Sequence, residues 1–491
     1  VYDQKKINAL IKSRAKDDIQ IHYFIQYHLD RQLKEVTQYA REKGIVLKGD
    51  IPIGISPNSV EAWTEPHLFH LDAQAGAPPD SFAVKGQNWG FPTYNWEKMA
   101  EEGYAWWKGR LQKMAEYFDA YRIDHILGFF RIWEIPKHAV EGLLGYFNPA
   151  IALTADEIQD YGIRFDFERM VKPHIPHHLV EHLFGHHTQD VIKNYLIDKG
   201  WGRFKMKDDF DTQQKVNQHF LKDIEEEDLT EENRRIRDGL FDLIANVVFV
   251  QTGENQWHPR ILMQQTNSYL ELDEHTRKQL NRLYLDYFYK RQDEFWYHKG
   301  MEKIPVIIKA SNMLVCGEDL GMVPDCVPPV MDALNILSLE IQRMSKNPKK
   351  KFAHPNDAPY LSVCTTSTHD MSTIRGWWEE DRESIQQFFN IELGQIGVAP
   401  FFAEPEVCKQ ILVQHLFSPA MWTTFPIQDL IAIDGALRWD NTQGEQINYP
   451  SNVRHKWRFR MHQSIDDLKN AKEFNELVRS LIKESGRDSD Y

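Results

Sequence analysis

Three acidic stretches stand far apart in the chain: Tyr121-Arg122-Ile123-Asp124-His125, Gly317-Glu318-Asp319-Leu320-Gly321 and Thr366-Ser367-Thr368-His369-Asp370. Two carboxyl groups flanking an acetal suffice for retaining glycosyl chemistry: one attacks the anomeric carbon and the other protonates the leaving oxygen. A third that grips ring hydroxyls as the sugar flattens adds to transition-state binding. Asp124, Glu318 and Asp370 supply that set. Arg122 precedes Asp124 by two residues, so on a strand both point to one side, and its charge favours an ionised Asp124. Glu318 must stay protonated near neutral pH, and the apolar run 313–316 ahead of it offers desolvation. His125 and His369 carry donors for sugar hydroxyls, whereas Asp319 reads as a structural partner. Singly, an R-x-D or an E-D is commonplace. Order, strand context and spacing together carry the reading.

Each acidic stretch follows a mostly apolar run (118–123, 313–316 and 361–364) that reads as a buried strand. Carboxylates at the ends of successive buried strands converge on one rim of an α/β barrel. Residues 19–43 read as one long helix, with Ile25, Leu29, Leu33, Val36 and Ala40 at helical spacing and Gly44 as its stop. The run 45–47 reads as a buried strand that delivers Asp50 at its C-terminal end. Residues 55–96, rich in Pro, Gly, Asn and Trp, read as a long functional loop. It holds Pro78-Pro79-Asp80 and Gln87-Asn88-Trp89-Gly90, which offer Asp80, Gln87 and Trp89 to a sugar. Helices are expected over 96–117, 327–337, 377–393 and 404–416. Strands are expected over 338–342 and 421–430, the last carrying Gln428 and Asp429.

Between 137 and 309 the alternation breaks. A histidine group (His174, His177, His178, His182, His186 and His187), a charged run over 223–237 and several helical patterns follow. This stretch reads as a mainly helical insertion on the catalytic face. The expected organisation is thus residues 1–136 as the first part of a barrel, 137–309 as the insertion, and 310–491 as the rest of the barrel with C-terminal helices. His178 and His182 are spaced as two ligands on one helix face would be. Pro176 and Gly185 interrupt that helix, no Cys is near, and structural or surface histidines are the simpler reading.

A length of 491 residues allows a large core, and 42% hydrophobic with 26% charged residues is ordinary globular composition. The net charge of -14 argues against nucleic acid, whose phosphates call for concentrated Lys and Arg. It suits a neutral sugar, as do 14 Trp, 19 Tyr and 27 Phe, although most of these aromatics belong to the core. Cys316, Cys326, Cys364 and Cys408 form no CxxC pair, so neither zinc nor a disulfide framework is indicated. No apolar run is long enough to cross a bilayer, and a cytoplasmic setting is expected. The chain opens at Val1 without an initiator Met and soon enters a long helix, which reads as a piece of a longer polypeptide.

Eight motifs resemble those of 4-α-glucanotransferases of the amylomaltase type, glycoside hydrolase family 77. They are Gly49-Asp50-Ile51-Pro52-Ile53-Gly54, Ala77-Pro78-Pro79-Asp80-Ser81-Phe82, Gly86-Gln87-Asn88-Trp89-Gly90, Tyr121-Arg122-Ile123-Asp124-His125, Gly317-Glu318-Asp319-Leu320-Gly321, Thr368-His369-Asp370, Pro426-Ile427-Gln428-Asp429 and Ile447-Asn448-Tyr449-Pro450. The likeness covers about residues 20–136 and 312–465. It implies Asp124 as nucleophile, Glu318 as acid/base and Asp370 as transition-state stabiliser. Arg122, His369, Asp50, Asp80, Gln87 and Trp89 become sugar contacts. The implied fold is an α/β (β/α)8 TIM-type barrel, expected to lack its first strands in this chain. The long insertion is similar to the disproportionating enzyme 2 branch, which uses maltose as glucosyl donor and a branched glucan as acceptor. Lys456 stands where many amylomaltases carry Asn, and Arg343 where shorter relatives are often apolar or aromatic.

The expected reaction is therefore transfer of a glucosyl or maltosyl unit from maltose or maltooligosaccharides to a glycogen-like α-glucan or other sugar. No cofactor, metal, nucleic acid or membrane is expected to take part. Three rivals remain: an α-glucan hydrolase with the same carboxylates, an inactive glucan-binding fragment, and a metal-dependent enzyme built on the histidines.

Overall fold

Six short parallel strands carry the acidic motifs, and they stand side by side in chain order. In the computed structural model, which describes residues 2–80, 83–450, 452 and 455–488, β1 (Lys48–Ile51), β2 (Ala120–Ile123) and β3 (Leu314–Gly317) form one sheet. Strands β4 (Ser338–Ile341), β5 (Ser362–Thr365) and β6 (Trp422–Thr424) form another. A parallel bridge between Cys316 and Leu337 joins β3 to the start of β4, where the Gly317 N–H donates to the Leu337 carbonyl at 2.8 Å. No pairing between β6 and β1 occurs among the described residues, so the hydrogen bonding alone does not close a ring.

These runs become strands because they are buried on both faces, as parallel strands between helices must be. Ala120, Tyr121 and Ile123 are buried, and so are all four residues of β5. Helices occupy the connections: Ala105–Met114 before β2, Asp293–Ile308 before β3, Val327–Ala333 between β3 and β4, and Ile374–Glu380, Arg382–Ile391 and Pro405–Leu416 between β5 and β6. One large core surrounds β1, β2 and β3; a second, around Trp378, Phe388, Ile411 and Leu481, lies beneath the C-terminal helices. All four cysteines are buried and unpaired.

Several expectations need correction. The first strand begins at Lys48, so Asp50 lies within it and not at its end; Ile45 and Val46 are more than half exposed. The Lys16–Glu42 helix buries only Thr37 and Ala40, leaving the apolar stripe from Ile25 to Val36 exposed. Over 421–430, a three-residue strand gives way to a helix, Ile427–Ile431, that contains Gln428 and Asp429. The stretch 55–96 is no simple loop. Its Ala73–Ala77 and Gln87–Asn88 strands pair antiparallel with each other, and Ala73–Ala77 continues onto Ile132–Pro136 and Tyr146–Asn148. Glu134 lies buried there and accepts from Thr93, Tyr146 and Asn148, which together with His70 hold its carboxyl far below the usual range against the opposing effect of burial.

Residues 137–309 contain nine α-helices among the described residues, the longest being Glu231–Ile244, Glu274–Tyr289 and Asp293–Ile308. Two small antiparallel sheets accompany them: Leu196–Gly200, Arg203–Met206 and Ile175–Pro176 in one, Phe249–Gly253 and Gln256–Pro259 in the other. No helix is long and apolar enough to cross a membrane among the described residues.

Candidate active site

Strand register assembles the first half of the site. Asp50, Arg122 and Cys316 stand opposite one another on β1, β2 and β3. Two residues further on, Asp124 and Glu318 project to the same side. Arg122 Nη1 lies 3.0 Å from both Asp50 oxygens and 2.8 Å from Asp124 Oδ1, so one guanidinium fixes two carboxylates.

Glu318 is largely buried, its side chain 13% exposed. Its Oε2 accepts the His125 N–H at 3.0 Å and its Oε1 the Leu320 N–H at 2.9 Å. The first donor exists because His125 adopts a left-handed conformation, φ 43°, that turns the chain sharply after β2. Burial pushes the Glu318 carboxyl up to about 7; Arg122 opposes and the Asp124 charge reinforces the rise. A carboxylic acid that still holds its proton near neutrality thus faces its partner carboxylate.

Asp124 behaves differently from the sequence expectation. Arg122 does pull its carboxyl down, but burial exceeds that pull, and Asp50 and Asp370 add to it; the net shift is upward. Burial also drives the His125 ring down to about 3, so it is a neutral imidazole, not a cation paired with Glu318. Asp319 points away. It accepts the Leu339 N–H at 2.9 Å and pairs with Lys346 at 2.8 Å, tying β3 to β4.

The second half of the site follows β5. Asp370 lies 3.1 Å from His369 Nε2, and its Oδ1 accepts from Asn448 Nδ2 at 2.7 Å. Burial works upward on this carboxyl, but these partners and Arg122 outweigh it and hold Asp370 below the usual range. The Asp370 bond raises His369, against the effect of burial. Asn448 also donates its N–H to the His369 carbonyl at 3.0 Å. The Trp457 ring, 58% exposed, lies 4.7 Å from the His369 ring centre. Behind this turn, the buried Asp429 accepts from Thr366, Ser367 and the Ile374 N–H, and Arg343 donates to Ser372.

A third arm comes from the antiparallel sheet. Trp89 packs edge-on against His125 with ring centres 5.1 Å apart, stacks on Phe91, and donates its indole N–H to Gln87 Oε1 at 3.0 Å. Asp80 accepts the Ala83 N–H at 2.6 Å and closes the turn before this arm. Ser81 and Phe82 of that motif, and Arg454, lie outside the described residues.

The geometry therefore ties Asp50, Arg122, Asp124, His125, Glu318, Gln87 and Trp89 together by direct contact. Shared charge couples Arg122 and Asp124 to His369 and Asp370. Sequence reasoning missed Asn448, Trp457 and Asp429 as parts of the site, although two of them lie within motifs it singled out. Among the described residues no three His, Cys, Asp or Glu side chains converge as a metal site would require; His174 and His178 both meet Glu271, at 2.7 and 3.1 Å.

Residues 2–466 match the profile of the 4-alpha-glucanotransferase family. A curated 4-alpha-glucanotransferase DPE2 of Oryza sativa subsp. japonica is 42% identical over 490 residues, 99% of this chain and 52% of the rice protein. The 4-alpha-glucanotransferase of Chlamydia trachomatis is 23% identical over 95% of this chain and 61% of its own length. The chain thus spans between half and two thirds of these relatives. Among solved structures, an amylomaltase from Streptococcus agalactiae in complex with acarbose superposes with a TM-score of 0.57 at 18% identity, over 98% of this chain and 66% of that one. That of Corynebacterium glutamicum gives 0.50 at 14%, over 96% and 51%. These likenesses assign a TIM-barrel-type fold, and the family profile with the rice relative settles the membership: the chain belongs to the 4-alpha-glucanotransferase family.

Proposed function

We propose that this chain carries the catalytic centre of a retaining 4-alpha-glucanotransferase that moves glucosyl or maltosyl units from maltose or maltooligosaccharides to an α-glucan such as glycogen. The observation that carries the reading is the pairing of a neutral, backbone-tethered Glu318 with Asp124 held on Arg122. In the first step an Asp124 oxygen bonds to the anomeric carbon while the C1–O bond to the leaving sugar breaks, and Glu318 gives its proton to that oxygen. In the second, an acceptor hydroxyl oxygen bonds to C1 and passes its proton to the Glu318 carboxylate, as the Asp124 ester bond breaks. Asp370, held ionised, grips ring hydroxyls. Arg122, Asp50, His369, His125, Gln87, Trp89 and Asp80 surround the donor sugar.

Transfer prevails over hydrolysis only where water is kept from the ester. We assign that task to residues 83–90 together with the segment 137–309, which acts as an insertion between the two barrel parts, 1–136 and 310–491. Lys85 supports this assignment: it pairs with Asp242 and lies 3.6 Å from Glu141, joining the two. The proposed setting is cytoplasmic.

Chromatography of products from maltose, with and without glycogen, tests the reading. Glucose release that depends on glycogen, with glycogen gaining the missing units, is expected, together with no turnover by Asp124→Asn. Complete conversion of maltose to glucose without glycogen overturns transfer in favour of hydrolysis.

A further inference from the structure

The helix that follows the Asp370 turn lines a cavity of about 390 Å³ that the proposed reaction does not use. It opens between the Ile374–Glu380 helix, residues 402–404 and the stretch 438–443. That volume falls in the range of small-molecule sites, about 300–1,000 Å³.

Its walls are built rather than incidental. Arg375, 8% exposed, donates to the Trp439 carbonyl at 2.6 Å, to Glu445 at 2.6 Å and to Thr442 at 3.3 Å. Arg438 spans the opposite side, donating to the Ala403 carbonyl at 2.9 Å and to Glu404 at 3.3 Å. Both guanidinium planes are thereby locked, with N–H donors left over from the five that each carries. Glu379, Glu404 and Asp440 supply acceptors, and Asn441 and Gln443 amides of both kinds. Phe402, 60% exposed, forms an apolar wall at the mouth.

The charge balance selects the ligand class. Arg375 is engaged by Glu445 and Arg438 by Glu404, while Glu379 and Asp440 stand exposed to water, so the cavity holds no unpaired buried charge that would select a phosphate or a cation. A neutral polyol uses donors and acceptors alike, and its C–H faces suit an aromatic ring. We propose that this cavity is a second, non-catalytic binding site for an α-glucan chain, one that tethers polymeric acceptor beside the reacting centre. The choice of sugar rests on the transferase reading. The tether is short in sequence: Asn448, which holds Asp370, lies five residues beyond Gln443 of the cavity wall.

The test is native electrophoresis through gels containing glycogen, run beside maltose disproportionation for the same proteins. Phe402→Ala and Gln443→Ala alter exposed side chains and should fold. The site is supported if each weakens glycogen retardation at least fivefold while maltose turnover stays within twofold of the parent. Unchanged retardation in both variants overturns it, as does a parent protein that glycogen does not retard. If retardation falls in the variants but no protein turns over maltose, the site stands and the transferase reading fails.

Discussion

Glu318 and Asp124 set the pH behaviour at the residue scale. Burial lifts Glu318 from an ordinary 4.5 to about 7, so the proton needed for the first step is present below that value and lost above it. Turnover should fall as pH rises through 7. Glu318→Gln should cost about a hundredfold to ten-thousandfold with maltose yet spare donors whose leaving group needs no proton; equal losses on both substrates would remove Glu318 as the acid. Stability follows the same sign. Between 4.5 and 7 the folded state keeps a proton that the unfolded chain has shed, so this contribution fades as pH rises through 7. The glutamine variant should therefore gain in melting temperature relative to the parent from pH 6 to pH 8. For Asn448→Ala, losing a hydrogen bond to a charged group, worth about 1.5–3 kcal/mol, should lower kcat/KM about ten- to hundredfold. The acid limb of the pH profile should stay in place, because the nucleophile Asp124, which must ionise for turnover, is held above its ordinary range while Asp370 is held below its own; an acid limb that moved upward would show that Asp370, not Asp124, limits turnover there. The three carboxylates were legible in the sequence because strand, spacing and residue type agreed. Asn448 and Trp457 were not assigned, since they meet His369 and Asp370 across some 80 residues of chain that only folding brings back.

At the scale of elements, close approach of backbones decides where Trp89 stands. A Cβ on Gly76 would lie 2.0 Å from the Gln87 carbonyl oxygen and 2.7 Å from Ile135 Cδ1. Gly76→Ala must push the Gln87–Asn88 strand outward and should cost about 1–3 kcal/mol, as overpacking generally does. With Trp89 drawn off His125, KM for maltose should rise more than kcat falls; a variant with parental melting temperature and KM would show that the strand yields freely. The parallel strands were readable because burial on both faces leaves unbroken apolar runs. The antiparallel sheet inside 55–96 escaped notice because strands of two to five residues, rich in Ala, Gly and Gln, carry no alternation to detect. Nor could pattern alone foresee the exposed stripe of the Lys16–Glu42 helix. Helical spacing marks a face that can be buried, not whether anything covers it.

On the scale of the whole molecule, residues 83–90 meet segment 137–309 through Asn88, which donates to the Val140 carbonyl at 3.0 Å, and through Lys85, whose ammonium pairs with Asp242 and lies 3.6 Å from Glu141. Lys85→Ala should raise glucose formed by water relative to transfer about two- to fivefold, matching the roughly 0.5–1 kcal/mol of a half-exposed ion pair. An unchanged product ratio would relieve that contact of any part in excluding water. The buried cysteines extend this view of the molecule. Cys326 belongs to the large core around β1, β2 and β3, Cys316 lies where β3 meets β4, Cys364 sits in β5 and Cys408 in the C-terminal core. Burial raises all four thiols, three of them to about 12. A thiol reagent offered to the native protein therefore waits on breathing motions and not on chemistry. The order in which the four sulfurs acquire label becomes a clock, built into the natural sequence, for which part of the fold lets go first.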